Sequence, residues 1–253
     1  MPTRKATAVS CPNIALIKYW GNRDDKLRLP ANSSLSMNLA GLETVTTVEF
    51  IEGRTEDEVV IAGEVQTGAA KIRVVAHLDH IRARANLNLC ARVESRNTFP
   101  AGAGIASSAS AFAALTLAGV AAAGLTPSER ELSALARLGS GSAARSIPGG
   151  FVEWQAGESH EDSFAFSIAP PDHWAVVDLV AVVSQKHKVV GSTGGHALAN
   201  TSPLQAARLA SAPERLQRCR EAVLARDFLH LADVVEADSN LMHAVMMTST
   251  PPL

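Results

Sequence analysis

The stretch Pro100–Ser110, reading PAGAGIASSAS, runs straight into a long apolar segment of small residues, Ala109–Leu125. That pairing limits the fold more than any other feature of the chain. The alanine-rich run predicts a helix as far as Ala123. Its interruptions at Ser110, Thr116, Gly119 and Gly124 suit a buried helix better than a membrane span. In the loop ahead of it, Gly102 and Gly104 can take positive φ and let a ligand come close to the backbone. Ser107, Ser108 and Ser110 add hydroxyls. A helix N-terminus presents unpaired N–H groups and a partial positive charge, so this place suits a phosphate. The same residues also describe a plain loop with serine caps before a buried helix, and other segments must decide.

The chain has 253 residues, enough for one large domain or two smaller ones. Apolar residues make up 47% and charged residues 19%, which supports a packed core and excludes a disordered chain. A net charge of −2 provides no bulk attraction to nucleic acid or to an anionic membrane, so neither is an expected partner. Any anionic ligand must be held by a local constellation. Cys11, Cys90 and Cys219 are odd in number and far apart, which argues against a disulfide framework or a zinc ribbon. Met1–Ala6 is polar and offers no signal region, so the expected location is cytoplasmic.

Strand-like segments dominate the first part: Thr7–Ser10, Ile14–Tyr19, Leu35–Leu39 and Thr44–Ile51, divided by Pro, Asn and Gly. Val59–Ile61 and Glu64–Val65 flank Ala62-Gly63, a hairpin turn. Ile72, Val75, Leu78 and Ile81 form a helical stripe within Lys71–Ala83, and Leu87–Glu94 alternates as a strand. Thr126-Pro-Ser-Glu129 predicts a helix with Thr126 as N-cap and Glu129 closing a capping box; Gly139 stops it. Phe151–Gln155 and Phe164–Ile168 read as strands, and the almost continuously apolar Val176–Val183 predicts a central one. Helices follow at Pro203–Ala210, Pro213–Ala225 and Phe228–Met246. A composition shift near Pro170-Pro171 divides the chain into lobes, 1–174 and 175–253. One strand with several helices is too little for a stable sheet, so the second lobe is expected to be unfinished at Leu253.

Four segments carry chemistry. In Pro12–Arg23, PNIALIKYWGNR, a strand ends in Lys18, Tyr19 and Arg23; a lysine there beside glycine reaches a buried anion or lies solvated at an edge. The loop Gly102–Ser110 is the second. Ser140-Gly-Ser142 with Arg145 is the third, offering hydroxyls, backbone N–H groups and a guanidinium suited to bidentate binding of carboxylate or phosphate, or else a plain connection. Lys186-His-Lys188 with Gly191-Ser-Thr-Gly-Gly195 is the fourth, cations and hydroxyls or a solvated turn. Together they describe a pocket for two anionic ligands, one of them a nucleotide. Neither a Walker A motif nor a G-x-G-x-x-G fingerprint is present. His77 and His80 stand at helical spacing without a third ligand and read as surface or amphipathic positions. Asp238-Ser-Asn240 with His243 either lines a cleft or packs.

These motifs resemble the diphosphomevalonate decarboxylase family of the GHMP kinase superfamily. The resemblance rests on Ala8–Leu39, on NTFPAGAGIASS at 97–108, on GSGSAARS at 139–146 with GGFVEW at 149–154, and on DSNLMHA at 238–244, in family order. It implies an α+β GHMP kinase fold, a ribosomal S5 domain 2-like N-terminal lobe followed by a ferredoxin-like C-terminal lobe. It also implies ATP and Mg2+, with a phosphorylated mevalonate as substrate. ATP phosphorylates the 3-hydroxyl, and loss of phosphate and CO2 gives an isopentenyl ester. By the same resemblance Gly102, Ala103, Gly104, Ile105, Ala106, Ser107 and Ser108 would cradle the ATP phosphates, with Ser107 or Ser108 near Mg2+ and Asn97 near the nucleotide. Arg145 would clamp the carboxylate; Tyr19, Ser140, Gly141, Ser142 and Ser192 would bind substrate phosphates. Lys18 would sit beside the reacting carboxylate and hydroxyl, and Lys188 would offset phosphate charge. Relatives are often homodimers.

Two departures matter. The family carries Lys where this chain has Asn22, at the terminal phosphate of the diphosphate, which makes 5-phosphomevalonate an alternative substrate. The family's catalytic Asp lies in an Asp-Ala-Gly-Pro-Asn segment that these residues do not contain, so little or no turnover is expected of the chain alone. A GHMP small-molecule kinase and a non-catalytic binding fragment are the competing readings.

Overall fold

The computed structural model describes residues 4–100, 107–181 and 192–253, without the side chains of Ser192 and Thr193. The strands are β1 (Lys5–Ser10), β2 (Asn13–Ile17), β3 (Asn22–Asp24), β4 (Leu29–Pro30), β5 (Ser34–Asn38), β6 (Thr44–Ile51), β7 (Glu58–Ile61), β8 (Glu64–Val65), β9 (Cys90–Asn97), β10 (Phe151–Trp154) and β11 (Ala165–Ala169). The α-helices are α1 (Gly68–Ala85), α2 (Ser107–Ala122), α3 (Glu129–Gly139), α4 (Ser192–Leu198), α5 (Gln205–Ala210), α6 (Ala212–Ala225) and α7 (Phe228–Thr248). They form two compact units, the described residues of Met1–Pro12 with Leu39–Ile147, and Asn13–Asn38 with Pro148–Leu253. The segment Asn13–Asn38 therefore leaves one unit and joins the other.

The first unit is built on a sheet in the order β1-β6-β9-β7-β8, antiparallel except where β7 runs parallel to β9. Burial alternates along β6, so one face of the sheet is covered. Val48 and Phe50 of that face pack with Leu78 and Ile81 of α1, Phe112 and Leu115 of α2, and Leu135 of α3. The small residues of α2 let its neighbours close in: a Cβ on Gly119 would meet Ile81 Cδ1 at 2.6 Å. The β7–β8 turn is the expected one, with Ala62 and Gly63 at φ +53° and +85°, both left-handed as a two-residue hairpin requires.

Three local expectations shift. The N-cap of α3 is Ser128, and Glu131 completes the capping box in place of Thr126 and Glu129. Both pairs fit the same four-residue pattern, and Ser128 takes the extended backbone that an N-cap needs. On α1 the buried face is His77, Leu78 and Ile81, while Ile72 is exposed. His77 accordingly lies inside, its Nε2 2.8 Å from Thr116 Oγ1 and its ring edge-on to Phe112.

The second unit holds an antiparallel sheet in the order β11-β10-β5-β2, with β3 and β4 as a separate ladder. Its inner strands are β5 and β10, and all four residues of β10 are buried. Glu153 is tolerated there because Arg220 binds it with two nitrogens, at 2.9 Å from Nε and 2.6 Å from Nη2. The expected central strand Val176–Val183 is corrected: its described residues, 176–181, form no strand, and Val177 and Leu179 are exposed. An apolar run becomes a strand only when a neighbour takes up its N–H and C=O groups, and among the described residues none does. The helix pair α6–α7 packs together, with α6 against β2 and β5 and α7 against β2.

Candidate functional site

In the first unit two distant serine-bearing segments meet. α2 begins at Ser107, with Ser107 half-buried and Ser108 exposed, and Ser108 Oγ lies 3.4 Å from Ser140 Oγ at the end of α3. Ser110 is fully buried, its hydroxyl 2.7 Å from Thr44 Oγ1, which donates in turn to Asn97 Oδ1 at 2.8 Å. Asn97, the last residue of β9, is thereby tied to the first turn of α2. From Ser140 the chain tightens into a 3-10 turn, Gly141–Ser146. Ser140 O accepts from Ala143 N at 2.8 Å, Ser133 Oγ donates to Ala144 O at 3.0 Å, and Ser10 Oγ donates to Ser146 O at 2.9 Å. Arg145 on this turn is 3% exposed. A helix N-terminus, two open hydroxyls and a guanidinium make a set that suits anions. Gly102–Ala106 lie outside the described residues.

The second unit carries Lys18–Asn22, directly after β2. Lys18 Nζ donates to Ala15 O at 2.7 Å. The backbone of the segment is gripped from several sides. Lys18 N donates to Asp238 Oδ2 at 2.7 Å; Lys18 O accepts from Arg208 Nη2 at 2.8 Å and from Asn32 Nδ2 at 3.1 Å. Trp20 O accepts from Gln205 Nε2 at 3.1 Å and Arg208 Nη1 at 3.2 Å. Gly21 takes φ +97°, and a Cβ there would lie 2.7 Å from Gln205 Nε2, so both conformation and space call for glycine.

Asp238 is completely buried and pairs with Arg215, Nε to Oδ1 at 2.7 Å. Two buried guanidiniums face one buried carboxylate; the carbonyls of Lys18 and Trp20 and Asn32 Oδ1 accept from Arg208, and Ser211 Oγ and Arg208 O accept from Arg215. Burial pushes the Arg208 pKa down from its ordinary value, with Asp238 acting against that shift and Arg215 adding to it. Sequence reading left Asp238 undecided between lining and packing, and missed Arg208, Arg215 and Gln205. Their only signal is polarity on the inner face of α5–α7.

Tyr19 stacks on His196, with centroids 4.0 Å apart, and meets Trp154 edge-on at 4.7 Å. Its hydroxyl donates to Asn22 Oδ1, and Asn22 Nδ2 donates to Asp25 Oδ1 at 2.7 Å. Lys188 and the side chain of Ser192 lie outside the described residues. Among the described residues, no group of three or more His, Cys, Asp or Glu could hold a metal, and no helix is long and apolar enough to cross a membrane.

Comparison with known proteins matches the chain along both parts. Residues 10–165 fit the diphosphomevalonate decarboxylase-like N-terminal domain, and residues 178–253 the mevalonate 5-diphosphate decarboxylase C-terminal domain. Diphosphomevalonate decarboxylase mvd1 of Aspergillus fumigatus is 40% identical over 98% of this chain and 67% of its own length. The crystal structure of mevalonate diphosphate decarboxylase from Staphylococcus aureus superposes with a TM-score of 0.92 at 38% identity, covering 98% of this chain and 76% of that one. MDDEF in complex with MVAPP, AMPPCP and magnesium superposes at 0.91 with 37% identity, covering 98% and 77%. The mixed helix-and-sheet architecture is the GHMP kinase fold of these structures.

Proposed function

Because the chain belongs to the diphosphomevalonate decarboxylase family, we propose that its activity is the ATP-dependent decarboxylation of 5-diphosphomevalonate to isopentenyl diphosphate, with little or no turnover from these residues without the family's Asp-Ala-Gly-Pro-Asn segment. The observation that carries this reading is the 3.4 Å approach of Ser108 to Ser140, in a chain matched by the family along both parts. It brings the start of the phosphate-loop helix to the turn that bears Arg145.

The proposed roles follow the chemistry of each group. The backbone of Gly102–Ala106 and the N-terminus of α2 take the ATP phosphates, with Asn97 beside the nucleotide. Mg2+ takes oxygen ligands and keeps several waters, so the hydroxyls of Ser107 and Ser108 fit it without a carboxylate cage. When bound, the ion offsets phosphate charge. Arg145 holds the substrate carboxylate through its planar fork. Tyr19, Ser140, Gly141, Ser142 and Ser192 take the substrate phosphates, and Lys188 balances their charge. Lys18 lies beside the carboxylate and the 3-hydroxyl, its backbone fixed by Asp238 and Arg208. Phosphorylation makes the tertiary oxygen a good leaving group. The electron pair of the C–C bond to the carboxylate then becomes the alkene π bond as phosphate and CO2 depart.

The lobes proposed are 1–174 and 175–253, supported by family matches on either side of that boundary. ATP as co-substrate favours a cytoplasmic setting, and a homodimer is the assembly the family suggests, to be checked by light scattering.

A monophosphate substrate is the second reading, and Asn22 favours it: the side chain is neutral and its amide binds Asp25, which adds negative charge at this place. Comparing 5-phosphomevalonate with the diphosphate in the protein and in Asn22→Lys decides it; an unchanged preference removes Asn22 as the discriminator. The main reading is tested with diphosphomevalonate labelled at its carboxylate, on the chain extended by the family's Asp-Ala-Gly-Pro-Asn segment beside the chain alone. Equal release of ADP and CO2 supports it, and ADP without CO2 would make the protein a kinase.

A further inference from the structure

We infer that His196 is a positioning residue for substrate binding: a neutral imidazole, protonated on Nε2 alone, that fixes the turn at Gly21 and the plane of the Tyr19 ring. The inference rests on the reading of Tyr19 as a substrate-binding residue. His196 lies on α4 and is 8% exposed. Its Nδ1 accepts the backbone N–H of Gly21 at 3.0 Å. A ring nitrogen that accepts a hydrogen bond carries no proton, so the proton of this ring belongs on Nε2. An imidazolium would set N–H against N–H and break the contact. The same ring stacks on Tyr19 at 4.0 Å and 25°, and lies 4.9 Å from Trp20.

Three consecutive residues, Tyr19, Trp20 and Gly21, thus touch one side chain, and two features of it do different work. The ring face sets the tilt of Tyr19, which also meets the fully buried Trp154 in a T-shaped contact. The bare nitrogen satisfies a buried N–H in a turn whose glycine takes φ +97°. An apolar ring would serve packing alone, but it would leave the Gly21 N–H without an acceptor.

Variants separate the two features. His196→Phe keeps a ring without the acceptor, His196→Asn keeps an acceptor near the Nδ1 position without the ring, and His196→Ala keeps neither. Calorimetry with diphosphomevalonate and, separately, AMPPCP should show diphosphomevalonate binding weakened roughly tenfold by His196→Ala and about threefold by each of the others. AMPPCP affinity should stay within about twofold. Equal losses for both ligands, or no loss for diphosphomevalonate in His196→Ala, would overturn the inference. Tyr19→Phe tells the two failures apart: unchanged affinity there overturns the substrate-binding reading of Tyr19. Weakened affinity there with His196→Ala unchanged overturns the His196 inference alone. On the unaltered protein, 15N NMR of the histidines should show an unprotonated Nδ1 on His196, and a proton on that nitrogen contradicts the inference whatever the variants do.

Discussion

The segments Lys18–Asn22 and Ser140–Ser146 both follow the end of a regular element, yet they are held in place by different means. The turn after Ser140 is secured by neutral bonds, through Ala143, Ser133 and, from farther along the chain, Ser10 and Ser108, with Ala143 and Ala144 packed in the core. The segment after β2 depends on side chains from α4 to α7, among them His196, Gln205, Arg208 and Asp238. Hydroxyl-to-carbonyl bonds tolerate small changes, because a lost neutral bond costs about 1 kcal/mol. A buried ionic cluster does not, since removing one member strands the charge of another. The lesson is that the segment bearing Lys18 is tied to the integrity of the helical part of its unit.

The largest expected effect is on reactivity within that helical part. Burial first, then the charges of Asp238 and Glu153, push the Cys219 thiol up to about 12. At pH 8 its thiolate fraction is then on the order of one in ten thousand. Cys219 should be the last of the three thiols to react with a thiol reagent followed by mass spectrometry, and early labelling would mean that α6 is not packed as described. Next comes stability. Asp238→Ala should cost about 3–5 kcal/mol in urea unfolding, because Arg215 is left buried without its partner. Ser133→Ala, the matching change near the other segment, should cost about 1 kcal/mol. Equal losses for the two would erase the contrast between the regions.

The smallest effect concerns pH. The His230 side chain and then its backbone N–H hold the Asp227 carboxyl below its usual range, while Asp227 holds His230 above its own. The histidine's contribution to stability is full below its unfolded value of about 6.5 and fades as pH rises through the raised folded value. The aspartate's contribution is full above about 3.9 and fades as pH falls through the lowered folded value. Both groups are exposed, so Tm against pH should show a shallow plateau between these limits. His230→Gln should remove its alkaline limb and leave part of the acid limb, since the backbone bond to Asp227 survives; an unaltered alkaline limb would contradict the pairing.

How much was legible in the sequence follows the range of each interaction. The 62–63 hairpin, the stop at Gly139 and the last helix, expected over Phe228–Met246 and found over Phe228–Thr248, depend on adjacent residues and could be read in advance. The cap of α3 moved by two positions because two overlapping four-residue patterns fit. Val176–Val183 misled because apolarity reports a wish to be buried and not the identity of a pairing strand; β10, with a glutamate in it, is inner because Arg220 reaches it. At the site, small residues and cations marked the loops. The residues that hold them, such as Arg208 on a short and unremarkable helix, gave no local sign beyond their polarity, since their partners lie far away in sequence.

Amide hydrogen exchange at Lys18 and Gly21 puts the matter most directly. Neither lies in a strand, yet each donates to a buried side chain, so both should exchange as slowly as the amide of Ile17 in β2. Asp238→Asn should speed Lys18 alone, and His196→Phe should speed Gly21 alone. Exchange of both amides at the rate of an open loop in the unaltered protein would contradict the account.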